Sequence, residues 1–343
     1  MADHPLSYWF SDTNATGRLW RSILLFGSNT AAYKFALGGA LLEVASAGKE
    51  SVNVQDLAIP FAKRICNHLK VEDKQGTNPS NSFLKACRQF NADEIEIDQL
   101  VGMTVSQGFR YVFDAFHVVA SEEVPKRFFT VEGSSAKRVI HPTEQLLNIN
   151  DSSSAVLDGE VEARWRLVET GWSIGVPSRL LDVRMDKPTE QLIVRSDSRG
   201  RKNIGSAKWA FNGYQDGKCF YCNVELDTPD IIATKTHVDH VIPYLLDQHL
   251  STDLDHVWNL VNACSECNLA KSKTMPQYSI VERVYQRNEY YIHSNHPLKD
   301  AIKAATGNTA AERRGTVRSA FDDAGKLIST SWSPDSYVGR DIR

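Results

Sequence analysis

Four cysteines, one Asp-His pair and one asparagine carry most of the reactive potential of this sequence, and all fall between Cys219 and Lys273. The stretch reads CFYC at 219–222, HVDHVIP at 237–243, WNLV at 258–261 and CSECNLAKSK at 264–273. A Cys-x-x-Cys turn can aim both sulfurs at one ion, and two such turns supply the four thiolates of a tetrahedral zinc site. Cys219, Cys222, Cys264 and Cys267 are the expected ligands. Four thiolates leave no coordination position for water, so this zinc is expected to be structural. Any reaction must use other groups.

Those groups lie between and just after the cysteine pairs. THVDHVIPY reads as a β-strand, and its alternation sets His237 and Asp239 on one face and Val238, His240 and Ile242 on the other. An imidazole titrates near ~6.5 and can take a proton from water at physiological pH. A carboxylate and an amide oxygen suit a hard cation such as Mg²⁺ or Mn²⁺, which keeps several waters. Asn268 directly follows the last cysteine, in or at the start of a helix that carries Lys271 and Lys273 on its next turn. An Asp beside a His is common by chance. Its place between the cysteine pairs, with Cys-Asn-x-x-Lys behind it, is what gives it weight.

In this order and spacing, CFYC, VDHVIP, WNLV and CSECNLAKSK resemble the HNH, or ββα-metal, endonuclease family in its form with a zinc clamp of four cysteines. The likeness covers less than a quarter of the chain. It implies two strands and a helix around one catalytic divalent cation, Mg²⁺ or Mn²⁺, and hydrolysis of phosphodiester bonds in DNA. Carried onto this sequence, it makes Asp239 the metal-binding acid and His240 the general base. Asn259 becomes the asparagine that ties down the loop, and Asn268 the second ligand of the cation. Lys271 and Lys273 fall where basic residues approach the phosphate backbone. His237 is an extra ligand, a phosphate contact or a plain strand residue, and the sequence leaves all three open. The family's frequent fusion to recognition domains in restriction or anti-phage defence implies a recognition function for residues 1–200 and a defence-system partner, and a double-strand cut by a one-site nuclease would imply a homodimer. The competing reading is a zinc-stabilised nucleic-acid-binding module without catalysis. The joint presence of Asp239, His240 and Asn268 argues against it.

The elements that must hold these residues belong to a chain of 343 residues, long enough for two or three units. Hydrophobic content of 42% and charged content of 24% are those of an ordinary globular protein with a core of normal size. The net charge of −3 provides no overall basic footprint, so nucleic-acid contact must come from local patches. One such patch is Arg199, Arg201, Lys202 and Lys208, either a solvated basic face or a phosphate-contacting arm. Arg313, Arg314 and Arg318 form another. Cys66 and Cys87 stand singly among helix-like residues and read as core thiols. With no basic leader before an apolar core and no run near the ~20 residues that span a bilayer, the expectation is a soluble, cytoplasmic protein with no membrane partner.

The expected fold class is α+β, in four regions. Residues 1–120 read as a mainly helical domain, with helices over 18–47 broken near Gly27, then over 53–70, 80–91 and 93–118. Residues 121–198 read as a small α+β region with a hairpin from RFFTVEG to KRVIHP, a polar loop, a helix over 158–171 and two strands. Residues 199–275 form the nuclease module, entered by a helix over 203–215. Residues 276–343 form a helical extension. His249 and His256 read as polar loop residues, and Asp253 with Asp255 as a solvated loop or helix cap.

Overall fold

The computed structural model describes residues 16–25, 31–76, 78, 81–119, 122–149, 151–174, 182–186, 191–196, 200–226, 228–293 and 298–334. The chain divides into two compact units, Met1–Gly175 and Val176–Arg343. Helices and small sheets make the class α+β. No helix among the described residues is long and apolar enough to cross a membrane.

The first unit is built around the helix Tyr33–Ser46, in which every residue from Phe35 to Leu42 is buried. A helix apolar on all sides belongs inside a bundle, and this one packs against the helices Val54–Leu69 and Asp151–Ile174. Two glycines allow the close approach. A Cβ on Gly38 would stand 2.7 Å from Leu24 Cδ1, and one on Gly39 would run into the Arg64 guanidinium. That guanidinium is fixed by Glu43 and Asp158, each at 2.8 Å. Trp20, Phe35, Phe61, Phe83, Phe109, Phe116, Phe128 and Trp165 are all buried. Phe61 lies between Phe83 and Phe109, with ring centroids 5.7 and 4.7 Å away. Each such ring contributes about 1.5–3 kcal/mol by leaving water.

The hairpin appears where the alternation places it, with Phe129–Glu132 antiparallel to Val139–Pro142 and Gly133 at φ 77 in the turn. The expected polar loop is shorter than its composition implies. The helix expected over 158–171 already begins at Asp151. Val156 and Leu157 are buried on the same stripe as Val161 and Trp165, so the serine-rich start is drawn into the helix by the apolar face it extends.

One ionic cluster in this core is centred on a histidine. The His68 ring lies flat on Trp165, with centroids 3.5 Å apart. Its Nδ1 is 2.6 Å from Glu169 and its Nε2 2.8 Å from Glu162. A carboxylate on each nitrogen requires both nitrogens to carry hydrogen, which is the imidazolium form. Burial opposes that charge, the two carboxylates outweigh it, and the pKa is raised.

The second unit starts with a three-stranded antiparallel meander, Asp182–Asp186, Gln191–Ser196 and Gly200–Ser206, with a register shift between Leu192 and Ile193. The helix expected over 203–215 is therefore corrected. Strand pairing with 191–196 claims residues up to Ser206, the helix is only Ala207–Asn212, and a 3₁₀ turn Gly213–Gln215 follows. Beyond the site, the helices Tyr278–His293, Lys299–Thr306 and Ala310–Leu327 pack together. Thr309 and Glu312 close a capping box at the start of the last one. Ser331–Trp332 then pairs with Met275–Pro276, directly after the nuclease stretch.

Candidate metal centre and active site

The expected strand is Thr236–His240, paired antiparallel with Leu260–Cys264 in the register His240 to Leu260 and Asp239 to Val261. The helix Ser265–Lys271 follows the second strand without a loop, because Cys264 is its N-cap and its thiol accepts from the Cys267 amide. The burial along the first strand alternates, with Thr236, Val238 and His240 inside and His237 and Asp239 half-buried. Two antiparallel strands and a helix thus converge on the Asp-His pair.

The four cysteine sulfurs lie within 4.8 Å of one another, and all four thiols are free. Cys222 and Cys264 are 3.8 Å apart, close to the ~3.8 Å edge of a tetrahedron with Zn–S near ~2.3 Å. Backbone geometry builds the cluster. Asn223 at φ 63 turns the first pair back on itself, with its amide on the Cys219 carbonyl at 3.0 Å. The Cys264 amide donates to Cys219 Sγ at 3.3 Å. A hydrogen bond from Cys267, with backbone amides behind it, overcomes burial and lowers the Cys219 pKa to about 5. Burial first, then the Cys219 charge, pushes Cys222 up to about 11. Four converging thiols can share little negative charge among themselves, and a divalent cation at their centre removes that conflict. The donor set, count and spacing fit zinc. Among the described residues this is the one cluster of metal-ligand side chains.

The Asp239 carboxylate faces the helix. Its Oδ2 accepts from the Tyr221 hydroxyl at 2.5 Å and from the Lys271 ammonium at 2.9 Å. Lys271 also donates to the His240 carbonyl at 2.7 Å. The resemblance places this lysine at the phosphate backbone; it is instead buried, because its charge is satisfied inside by Asp239 and His240. Burial lowers its pKa, and Asp239 offsets part of that shift. Asn268 is half-buried one turn earlier on the same helix. The i, i+3 spacing puts it on the same face of the helix as Lys271.

His240 is held from another direction. Its Nε2 is 2.9 Å from Asp255 Oδ1, and the Tyr244 ring lies 5.2 Å from its own. Asp255 is thus neither solvated loop nor helix cap. Its own amide bonds to Asp253 at 3.0 Å, and Asp253 pairs with Arg184 at 2.5 Å. Nothing in the spacing singles out Asp255, which sits 15 residues from His240. A run rich in Asp after a His is the only trace it leaves. His256, expected in a polar loop, is buried.

Asn259 is fully buried, and its side chain spans the loop. Its amide donates to the Ile242 carbonyl at 2.9 Å and the Leu254 carbonyl at 3.0 Å, and its oxygen accepts from the Ile242 amide at 2.9 Å. His237 is half-buried, with Nε2 on Ser265 Oγ at 3.1 Å. Lys273 is exposed just beyond the helix. Lys208 is half-buried, reaching the Ala233 carbonyl at 3.3 Å. Arg201 and Lys202 lie on the strand Gly200–Ser206, and their side chains, like Arg199 as a whole, fall outside the described residues. The other basic cluster is already paired: Arg313 with Glu289, Arg314 with Glu282 and Arg318 with Asp322.

A ββα unit clamped by four thiols, with a carboxylate and an imidazole at its centre, has the build of a metal-binding nuclease module. Residues 219–274 match the model of the HNH endonuclease family, and this segment of the chain is an HNH domain. No curated protein and no solved structure matched the chain.

Proposed function

We propose that this protein is a metal-dependent endonuclease that hydrolyses phosphodiester bonds in DNA at its HNH domain. The observation that carries the reading is that two neighbouring side chains are held by different partners. Tyr221 and Lys271 hold Asp239, whereas Asp255 holds His240. A decayed site has no reason to keep both sets.

Both contacts to Asp239 fall on Oδ2, so Oδ1 is the oxygen with which it binds a cation. Asn268 adds an amide oxygen from the helix. One carboxylate and one amide are a hard, sparse ligand set that suits Mg²⁺ or Mn²⁺ with several waters. When bound, such an ion supplies Lewis acidity at the scissile phosphate and its leaving oxygen. His240 takes the proton of the attacking water. With its Nε2 hydrogen donated to Asp255, the proton is accepted at Nδ1. Asn259 holds residues 242 and 254 and so fixes the loop that carries Asp255. Exposed Lys273, with Lys208, Arg201 and Lys202, supplies phosphate contacts. His237 steadies the start of the helix through Ser265.

The test is plasmid nicking in Mg²⁺ or Mn²⁺ by the whole chain and by His240→Ala, with zinc content measured on both. Loss of nicking with zinc retained is expected, and undiminished nicking would sink the assignment. Wild-type protein that binds DNA but never cuts it would favour the non-catalytic reading. A role in anti-phage defence is the further part of the proposal, resting on the frequent setting of HNH nucleases. It predicts that plating efficiency of sensitive phage falls when the wild-type chain is expressed, and recovers with His240→Ala.

A further inference from the structure

Tyr221 sits between the first two zinc-binding cysteines, yet its side chain serves the other centre. The ring is fully buried, and its hydroxyl donates to Asp239 Oδ2 at 2.5 Å. The ring is held edge-on by Trp332 at 5.1 Å and by Phe220 at 5.6 Å. Neither contact involves the hydroxyl. The backbone just before it is held too, because the Cys219 amide bonds the Val224 carbonyl at 2.8 Å and the Phe220 amide bonds the Asn262 carbonyl at 2.9 Å. Asn262 lies on the strand that pairs with the one bearing Asp239. The phenol is therefore a fixed donor, with both ends of its side chain determined by the cysteine turn and the sheet.

We infer that Tyr221 is a positioning residue for the catalytic cation, coupling the four-cysteine clamp to the Asp239 carboxylate. The inference rests on the nuclease reading and names the part of the chain that prepares the ligand. A carboxylate can rotate about its Cβ–Cγ bond and offer either oxygen, or both, to an ion. With the phenol and the Lys271 ammonium on Oδ2, that rotation is stopped and Oδ1 alone is presented. The ammonium by itself could follow the carboxylate on its flexible stem. The phenol cannot, since its ring is packed on two sides and its chain is part of the cysteine turn. Closing the four-cysteine site thus sets the geometry of a different ion at a different place.

The experiment uses the full chain with Tyr221→Phe, which removes one oxygen and keeps the ring. Zinc content is measured by metal analysis, Mn²⁺ affinity by the electron paramagnetic resonance of free Mn²⁺, and nicking as a function of Mn²⁺ concentration. Zinc should remain at the wild-type level while Mn²⁺ affinity falls roughly 10- to 100-fold, the usual effect of losing an outer partner of a metal ligand. Nicking should recover at high Mn²⁺. A purely structural role for the hydroxyl would not shift the Mn²⁺ requirement alone. In the Asp239→Asn background, adding Tyr221→Phe should cost nothing further in Mn²⁺ affinity. Unchanged Mn²⁺ affinity in Tyr221→Phe with zinc retained overturns the inference and leaves the nuclease reading intact. Absence of Mn²⁺ binding and cutting in the wild type overturns both. If Tyr221→Phe loses zinc, 3-fluorotyrosine at position 221 keeps the whole side chain and tests the same point. Its fluorine resonance should shift on saturation with Mg²⁺, and a stationary resonance rejects the coupling.

Discussion

The Lys271 ammonium lies 2.9 Å from Asp239 Oδ2 with both groups largely out of water, so this carboxylate has an interior counter-ion from the helix of its own module. A buried pair of this kind is costly to break from one side, because the remaining charge is stranded. Lys271→Met should therefore lower the unfolding free energy by about 3–5 kcal/mol. In an Asp239→Asn background the same substitution should cost well under half as much, since no stranded carboxylate remains. Denaturant unfolding of the four proteins measures both numbers. Equal costs in the two backgrounds would show that the pair is not what holds Lys271 in place.

The hydrogen bond from His240 Nε2 to Asp255 at 2.9 Å leaves Nδ1 as the ring nitrogen that the proposed mechanism uses. Asp255→Ala should lower the nicking rate by at least ~10-fold, a fraction of the 10²–10⁴ that a positioned general base supplies. Substrate concentration at half-maximal rate should change little, because no phosphate contact is lost. A rate equal to wild type would remove Asp255 from the mechanism.

Arg287 is a buried cation whose hydrogen-bond partners are all neutral oxygens, with the Tyr291 ring 5.1 Å away on its face. Its guanidinium bonds the carbonyls of Leu260, of Trp258 at 2.9 Å and of Val257 at 3.4 Å, and Asn288 Oδ1 at 2.7 Å. Burial lowers its pKa. It surrounds the turn that carries Asn259 and so ties the loop to a helix beyond the family segment. Arg287→Met should cost about 2–4 kcal/mol of stability through the lost charge-assisted hydrogen bonds, although the Trp258 carbonyl keeps the Asn288 amide and the Val257 carbonyl the Leu260 amide. Arg287→Lys should recover only part, since one ammonium cannot reach all four oxygens. Urea unfolding of both variants provides the comparison, and a wild-type midpoint for the methionine variant would refute the account.

His68 makes the first unit sensitive to pH in a stated direction. Its folded pKa is raised above the ~6.5 of a free imidazole, so protonation favours the native state. That contribution is complete below about 6.5 and drains away as pH rises through the folded value. The thermal midpoint of the first unit, followed by amide exchange in the helix Val54–Leu69, should fall over that alkaline range. His68→Gln should be less stable near pH 6 and lose that slope. A slope unchanged by the substitution would place the titrating group elsewhere.

The cysteine pairs, the Asp-His dipeptide and the asparagine after the last cysteine are legible in the sequence because each depends on short spacing. Two residues between thiols aim both at one ion, and alternation along a strand separates Asp239 from His240 whatever the rest of the chain does. The hairpin and the helices over 53–70 and 80–91 are legible for the same local reason, whereas the helix expected over 93–118 is broken into Ile97–Met103, a π-helical Thr104–Gly108 and Val112–Phe116. The departures come where a distant partner overrules local texture. Strand pairing with 191–196 takes residues that read as helix up to Ser206, and the apolar stripe of the helix Asp151–Ile174 absorbs a serine-rich run that reads as loop.

Residue identity and turn length alone establish which ligand types this chain carries and in what order, since ligand chemistry is a property of each side chain. The partner of each of these side chains is settled by packing. Asp255 reaches His240 across a loop, Tyr221 reaches Asp239 from the cysteine turn, and Lys271 points inward rather than to solvent. Each of these depends on how separate segments meet in three dimensions, which brings together side chains whose spacing along the chain carries no periodic trace.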